Sequence, residues 1–146
     1  MNLRPVLFAL PLLLMSGCGS EKTDILFECP SPDGGEIATI YLVSDGVQDV
    51  NRETKLNVRP ASESFNSSMF SFSMRHGFDA IIRWQGDDQL ELVYPQHAML
   101  THQEQVIFGT SQTFNPDARI RVSYSEQPST HGYFVVEKRC FSGSFE

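Results

Sequence analysis

The chain is poor in positive charge. Eleven Lys and Arg stand against eighteen Asp and Glu in 146 residues, a formal net charge of -7. Holding a phosphate backbone relies on neutralising it with Lys and Arg, so nucleic acid is not an expected partner. The same deficit argues against a polybasic grip on anionic lipid headgroups. No apolar run approaches the ~20 residues of a membrane-crossing helix; residues 6–15 come nearest, broken by Pro11. No internal repeat appears, which excludes solenoids and propellers. A long amphipathic helix is missing too. Its best candidate, residues 95–105, has only Ala98, Met99 and Leu100 as apolar members and allows one helical turn at most.

Catalytic and metal-binding constellations are equally scarce. There is no His-Glu-x-x-His, no Gly-rich phosphate loop and no Gly-x-Ser-x-Gly. His97 and His102 are five apart, a spacing that serves a shared metal poorly on either a strand or a helix, and both read as surface residues. His76 and His131 each precede a glycine and read as turn residues, while Ser129 near His131 reads as polar loop. Asp87 and Asp88 follow Gly86, which suits a solvated hairpin tip better than acid and base catalysis. Asp45 and Asp49 lack the further spaced oxygens that calcium requires. The expectation is a non-enzymatic protein with no catalytic residues, no metal and no cofactor.

What the chain does have is period-two alternation. Phe70, Phe72 and Met74 alternate with Ser71, Ser73 and Arg75; Phe78, Ala80, Ile82 and Trp84 form a second apolar phase. Leu90, Leu92 and Tyr94 make a third, and Ile120, Val122 and Tyr124 a fourth, set against Arg119, Arg121 and Ser123. Such alternation marks half-buried antiparallel strands. Residues 37–43 and 133–136 are more continuously apolar and suit strands covered on both sides, with shorter strands around Leu56 and Val58 and over 106–108. Turn chemistry separates these runs at Pro32-Asp33-Gly34-Gly35, Asp45-Gly46, Gly86-Asp87-Asp88 and Asn115-Pro116-Asp117. The polar stretches 45–54 and 61–68 read as surface loops. An all-β fold is expected, an antiparallel β-sandwich or barrel-like meander with little helix. Trp84 falls on the inward phase. Arg83, Arg119 and Arg121 point outward, with Arg75 a further candidate, and form a possible interaction patch for which Asp79, Glu91 and Glu126 are available ion-pair partners.

The first residues read as an export address. Arg4 precedes the apolar run, and Ser16 and Gly17 supply the small residues of a signal-peptide cleavage site. The ending Leu14-Met15-Ser16-Gly17-Cys18 resembles the lipobox of bacterial lipoproteins, which implies cleavage before Cys18 and lipid attachment to it. Gly19 rather than Asp follows, so that resemblance implies an outer-membrane anchor with the domain in the periplasm. Residues 19–23 reach only about 17 Å when stretched, which holds the domain close to its membrane. With Cys18 acylated, Cys29 and Cys140 remain as one pair, expected to form a disulfide in an oxidising compartment. The divisions are then a leader over 1–17, a lipidated tether over 18–23, a β-rich domain over 24–140 and a tail over 141–146.

Ser31-Pro32-Asp33-Gly34, the segment Ile82-Arg83-Trp84 through Leu90-Glu91-Leu92, and the later Val106-Ile107-Phe108 and Arg121-Val122-Ser123-Tyr124 together resemble an uncharacterised family of small bacterial β-rich proteins. That family has no established activity to carry across. Trp84-Gln85-Gly86-Asp87 is similar to the Trp-containing turn of lipid-anchored lysozyme inhibitors, which implies a periplasmic inhibitor or immunity protein as an alternative. A small-ligand-binding β-barrel is a third reading. The leading expectation is a lipid-anchored envelope protein whose β-domain contacts another envelope protein.

Overall fold

The computed structural model describes residues 21–45, 52–76, 80–108, 115–128 and 140–142. The leader, Cys18, Phe78, Asp79, Ser129, His131, the expected strand over 133–136 and most of the tail lie outside the described residues. Ten strands follow in order: β1 (Lys22–Pro30), β2 (Glu36–Ser44), β3 (Arg52–Pro60), β4 (Phe72–Arg75), β5 (Ile81–Gly86), β6 (Gln89–Pro95), β7 (Met99–Gln103), β8 (Val106–Phe108), β9 (Arg119–Gln127) and β10 (Cys140–Ser142). No helix occurs among the described residues. They form two five-stranded sheets and no closed barrel. Sheet A has the order β1-β2-β3-β4-β7 and sheet B the order β10-β5-β6-β9-β8.

The core lies between the sheets and follows the alternating phases. Sheet A contributes Cys29, Ala38, Ile40, Leu56, Val58, Phe72 and Met74; sheet B contributes Ala80, Ile82, Trp84, Leu90, Leu92, Tyr94, Ile107, Ile120 and Val122. These side chains fill the interior, as the close packing of protein cores requires. Phe72 meets Tyr94 and Tyr124 across the gap, with ring centroids 5.8 and 5.5 Å apart. Trp84 is buried on the expected inward phase, and its Nε1 donates to the Cys29 carbonyl oxygen at 3.0 Å, fastening β5 to β1. Cys29 and Cys140 stand at bonding distance with Cα atoms 5.4 Å apart, tying β10 of sheet B to β1 of sheet A.

Several expectations are corrected. Two pairings are parallel, β6 with β9 and β10 with β5, although the rest are antiparallel. The chain leaves β6 for β7 on the far edge of sheet A and returns through β8 before laying β9 beside β6, so β9 arrives in the same direction. Side-chain alternation is the same in either orientation and carries no record of direction. Residues 95–105 hold strand β7 in place of a helical turn. The short strand around Leu56 is nine residues long and begins inside the stretch read as loop.

Residues 61–68 form a loop at the surface, as expected, with Ala61, Ser62, Ser64 and Ser68 exposed, but the segment 61–70 also folds across the outer face of sheet A. Phe65 sets its ring edge-on to Tyr41 with centroids 4.9 Å apart; the Tyr41 hydroxyl donates to the Ser67 carbonyl at 2.9 Å, and Asn57 Nδ2 donates to the Met69 carbonyl at 2.8 Å. Phe70 lies under the Lys55 ammonium and against His102. Thr39, Tyr41, Asn57, Arg59, Ser71 and Ser73 are therefore buried although they point away from the core. Ser71 and Ser73, the polar phase of β4, are covered in place of facing water.

Candidate interaction face

Two turns meet at one end of the sandwich. In the β1–β2 turn, Gly34 adopts a φ of 74°, a left-handed conformation that glycine takes without steric cost. Ser31 Oγ donates to Asp33 Oδ1 at 2.6 Å, and the Gly35 N–H donates to the same oxygen at 2.8 Å. Those two donors hold the Asp33 carboxyl below its ordinary range. The Asp33 N–H in turn donates to Asp87 Oδ1 at 3.0 Å, on the tip of the β5–β6 hairpin. The Ser-Pro-Asp-Gly turn and the Trp-bearing hairpin, noticed separately in sequence, are thus neighbours held by this bond and by the Trp84 bond beneath it. Glu36, just after the turn, is pushed above the usual carboxylate range by burial and by the nearby charges of Asp33 and Glu63, and its Oε2 is buried without a hydrogen-bond partner.

The outer face of sheet B begins at that hairpin. Register places Arg83 opposite Glu91, Glu91 opposite Ser123, and Gln89 opposite Arg121, with Arg121 and Arg119 facing Val106 and Phe108 of the edge strand. All of these side chains share one face. The expected outward phase of Arg83, Arg119 and Arg121 is what the strands show, but the three are not equivalent. Arg83 is half-buried with its Nη1 3.6 Å from Glu91 Oε2. Glu91 also accepts from Gln85 Nε2 at 3.2 Å and from Ser125 Oγ at 2.9 Å. The carboxylate at the centre of the face is therefore already satisfied. Arg119 and Arg121 are exposed, and among the described residues neither has an ion-pair partner.

Arg75 does not join them. It lies on sheet A, where its Nε donates to Glu53 Oε1 at 2.8 Å. Glu126 sits on the opposite phase of β9 and accepts from the Tyr94 hydroxyl at 3.2 Å, so it is not a partner for this face.

A shallow depression of about 170 Å³ opens on the same face, lined by Gln85, Gln89, Leu90, Arg121, Val122 and Ser123. Its cause is local. The register between β5 and β6 shifts between Trp84 and Gly86, leaving Gln85 without a partner on β6. A bulge of this kind bends its strand and re-aims a side chain. Sequence reading found Arg121 from its phase but missed Gln85, Gln89 and Ser123; the available signal was the odd residue in Trp84-Gln85-Gly86, one too many for a two-residue Asp87-Asp88 turn.

Other polar clusters among the described residues are internally bonded. Arg59 donates to Glu28, Thr39 and the Glu63 carbonyl, a closed structural cluster. His102 bonds Glu104 at 3.1 Å, and His76 sits in a turn with a φ of 60°. Among the described residues no group of three His, Cys, Asp or Glu could hold a metal, and no helix is long and apolar enough to cross a membrane. No family model, no curated protein and no solved structure matches this chain.

Proposed function

We propose that the chain is a lipid-anchored lipoprotein of the bacterial envelope whose β-domain is a non-catalytic interaction module. The observation that carries the address is Leu14-Met15-Ser16-Gly17-Cys18 behind an apolar leader, with the first strand starting at Lys22, four residues after the acylated cysteine. Two or more acyl chains give stable anchoring where one gives marginal binding. Gly19 in place of Asp directs the protein to the outer membrane, with the domain in the periplasm. Support for the interaction module comes from the outer face of sheet B, where two exposed arginines have no ion-pair partner among the described residues, in a chain of net charge -7. A barrel that holds a small ligand inside has less support, because two packed sheets with a filled core leave no such interior.

The address is tested by feeding labelled palmitate to producing cells. Label should enter the parent chain and not Cys18→Ser, and the variant should leave the membrane fraction. An unlabelled parent, or a variant equally membrane-bound, refutes the anchor. The module is tested by photo-crosslinking in cells from Ser123, which should join the chain to a defined envelope protein; inhibition of c-type or g-type lysozyme by the purified chain would replace this reading with the inhibitor one.

A further inference from the structure

We infer that the outer face of sheet B along β9 is a docking site for an extended acidic peptide segment of a partner protein, with the depression beside Arg121 receiving one carboxylate and Arg119 a second. The inference rests on the interaction-module reading and names the chemistry of its partner.

Charge complementarity is the first reason. Arg119 and Arg121 are exposed on a chain dominated by acids, and the face's own carboxylate, Glu91, is held by Arg83, Gln85 and Ser125. Of the two hairpin acids, Asp87 is turned toward the Asp33 N–H of sheet A, and Asp88, whose backbone carbonyl accepts from the Arg121 N–H at 2.8 Å, makes no ion pair with either arginine among the described residues. The face therefore offers cations that nothing described on it neutralises.

Spacing is the second. Arg119 and Arg121 are two residues apart on one strand, so their side chains leave the same face about 7 Å apart, at ~3.4 Å per residue. An extended peptide repeats its side chains at the same interval. Carboxylates at alternate positions of a strand-like segment would meet both guanidinium groups at once.

The depression supplies the third. A guanidinium presents a planar fork of N–H donors that suits a carboxylate bidentately. Around Arg121 the walls add the Gln89 side-chain amide and the Ser123 hydroxyl, both able to donate to a carboxylate oxygen, over Leu90 and Val122, with the Gln85 amide beside them already donating one N–H to Glu91. A volume of about 170 Å³ suits one side chain and not a large cofactor. The bulge in β5 falls at Gln85, one of the residues that line the depression.

The test uses the whole chain purified in detergent and a fluorescently labelled peptide, acetyl-Gly-Glu-Thr-Glu-Thr-Glu-Gly-amide, read by anisotropy at low and physiological salt. The peptide should bind, and more weakly as salt rises. Arg121→Gln should weaken binding at least about threefold and the double variant Arg119→Gln/Arg121→Gln about tenfold, which is what one and two charge-assisted contacts at an exposed face supply. Arg75→Gln on sheet A should change nothing. The inference is overturned if the double variant binds within about twofold of the parent, if the Gln-for-Glu peptide or one with its three Glu residues adjacent binds equally well, or if only polyphosphate or phosphatidylglycerol vesicles bind. Unchanged thermal midpoints in these surface variants show that they fold. Crosslinking from Ser123 that still recovers a protein partner while acidic peptides fail would sink this site and leave the module standing; failure of both removes the module as well.

Discussion

Replacing Arg59 with Met should loosen the cover on sheet A before it loosens the sandwich. The guanidinium is 7% exposed and donates to Thr39 Oγ1 at 2.5 Å, Glu28 Oε1 at 2.8 Å and the Glu63 carbonyl at 3.1 Å, while lying over the Phe65 ring. Removing one partner from a fully buried ion pair costs about 3 to 5 kcal/mol. Here Glu28 keeps 41% of its side chain in water, so the carboxylate left behind can be hydrated and its share falls to that of a surface pair. What remains is the Glu63 carbonyl without its donor, a Thr39 hydroxyl that keeps only its bond to Glu28, and the lost cation–ring contact. Together these come to about 2 to 3 kcal/mol. For a domain of this size that is a fall in thermal midpoint on the order of 10 °C.

The pH dependence gives the same variant a second signature. Hydrogen bonding to Arg59 holds the Glu28 carboxyl below its ordinary value of 4.5. A carboxyl whose folded-state pKa is depressed contributes stability that is full above the unfolded value and is lost as pH falls through the folded one. The gap between parent and variant should therefore be widest at neutral pH and narrow below about pH 4.5. Urea unfolding followed by circular dichroism measures the gap. Amide exchange locates it: Ser68 and Met69 should exchange faster by a larger factor than Ile40. A loss under about 1 kcal/mol, or equal acceleration at Ile40 and Met69, would show that Arg59 does not clamp residues 61–70.

Two further outcomes follow from the described geometry. Changing Cys29 and Cys140 to Ser frees a loop spanning a sequence separation of 111, for which chain entropy gives a loss of about 4 to 5 kcal/mol; urea midpoints of parent and double variant measure it, and a difference below about 1 kcal/mol would show that the Trp84 bond and the core hold β10 and β1 without the cystine. Glu36→Gln should stabilise the fold at neutral pH by less than about 1 kcal/mol, because the carboxylate is half-desolvated beside Asp33 and Glu63 yet keeps part of its surface in water. Its raised folded-state pKa means that protonation already relieves the parent at low pH, so the advantage should shrink on acidification, and one that grew there would refute the assignment.

Which parts of the fold were legible depended on whether the two sides of a strand face different surroundings. On β5, β6 and β9 one side meets the core and the other meets water, so Ile82 and Trp84, Leu90 and Leu92, and Ile120 and Val122 stand out from their polar neighbours. On β2, β3 and β4 the outer side meets residues 61–70. Thr39, Asn57, Ser71 and Ser73 are polar and buried at once, and composition records polarity without location. Phe65, a ring in an otherwise polar loop, was the signal that the loop packs against something, whereas Phe70, read on the inward phase with Phe72 and Met74, lies instead against Lys55 and His102 on the outer face. β7 was illegible for a related reason: its exposed edge position leaves Met99 48% accessible and only Leu100 packed against the core, too little alternation to mark a strand.

The same contrast bears on where the proposed partner would dock. Sheet A spends its outer surface on its own chain: the polar groups of β2 and β3 are bonded to residues 61–70, and Arg59 and Arg75 are paired with Glu28 and Glu53. Sheet B does the reverse with Arg119 and Arg121. A cation selected only for solubility would be an odd choice on an acidic domain, since one more carboxylate there would serve that end better. Two arginines without an ion-pair partner among the described residues on one phase of β9, beside a bulge and a side-chain-sized depression, make sense when their counter-charge arrives from outside the chain, as proposed.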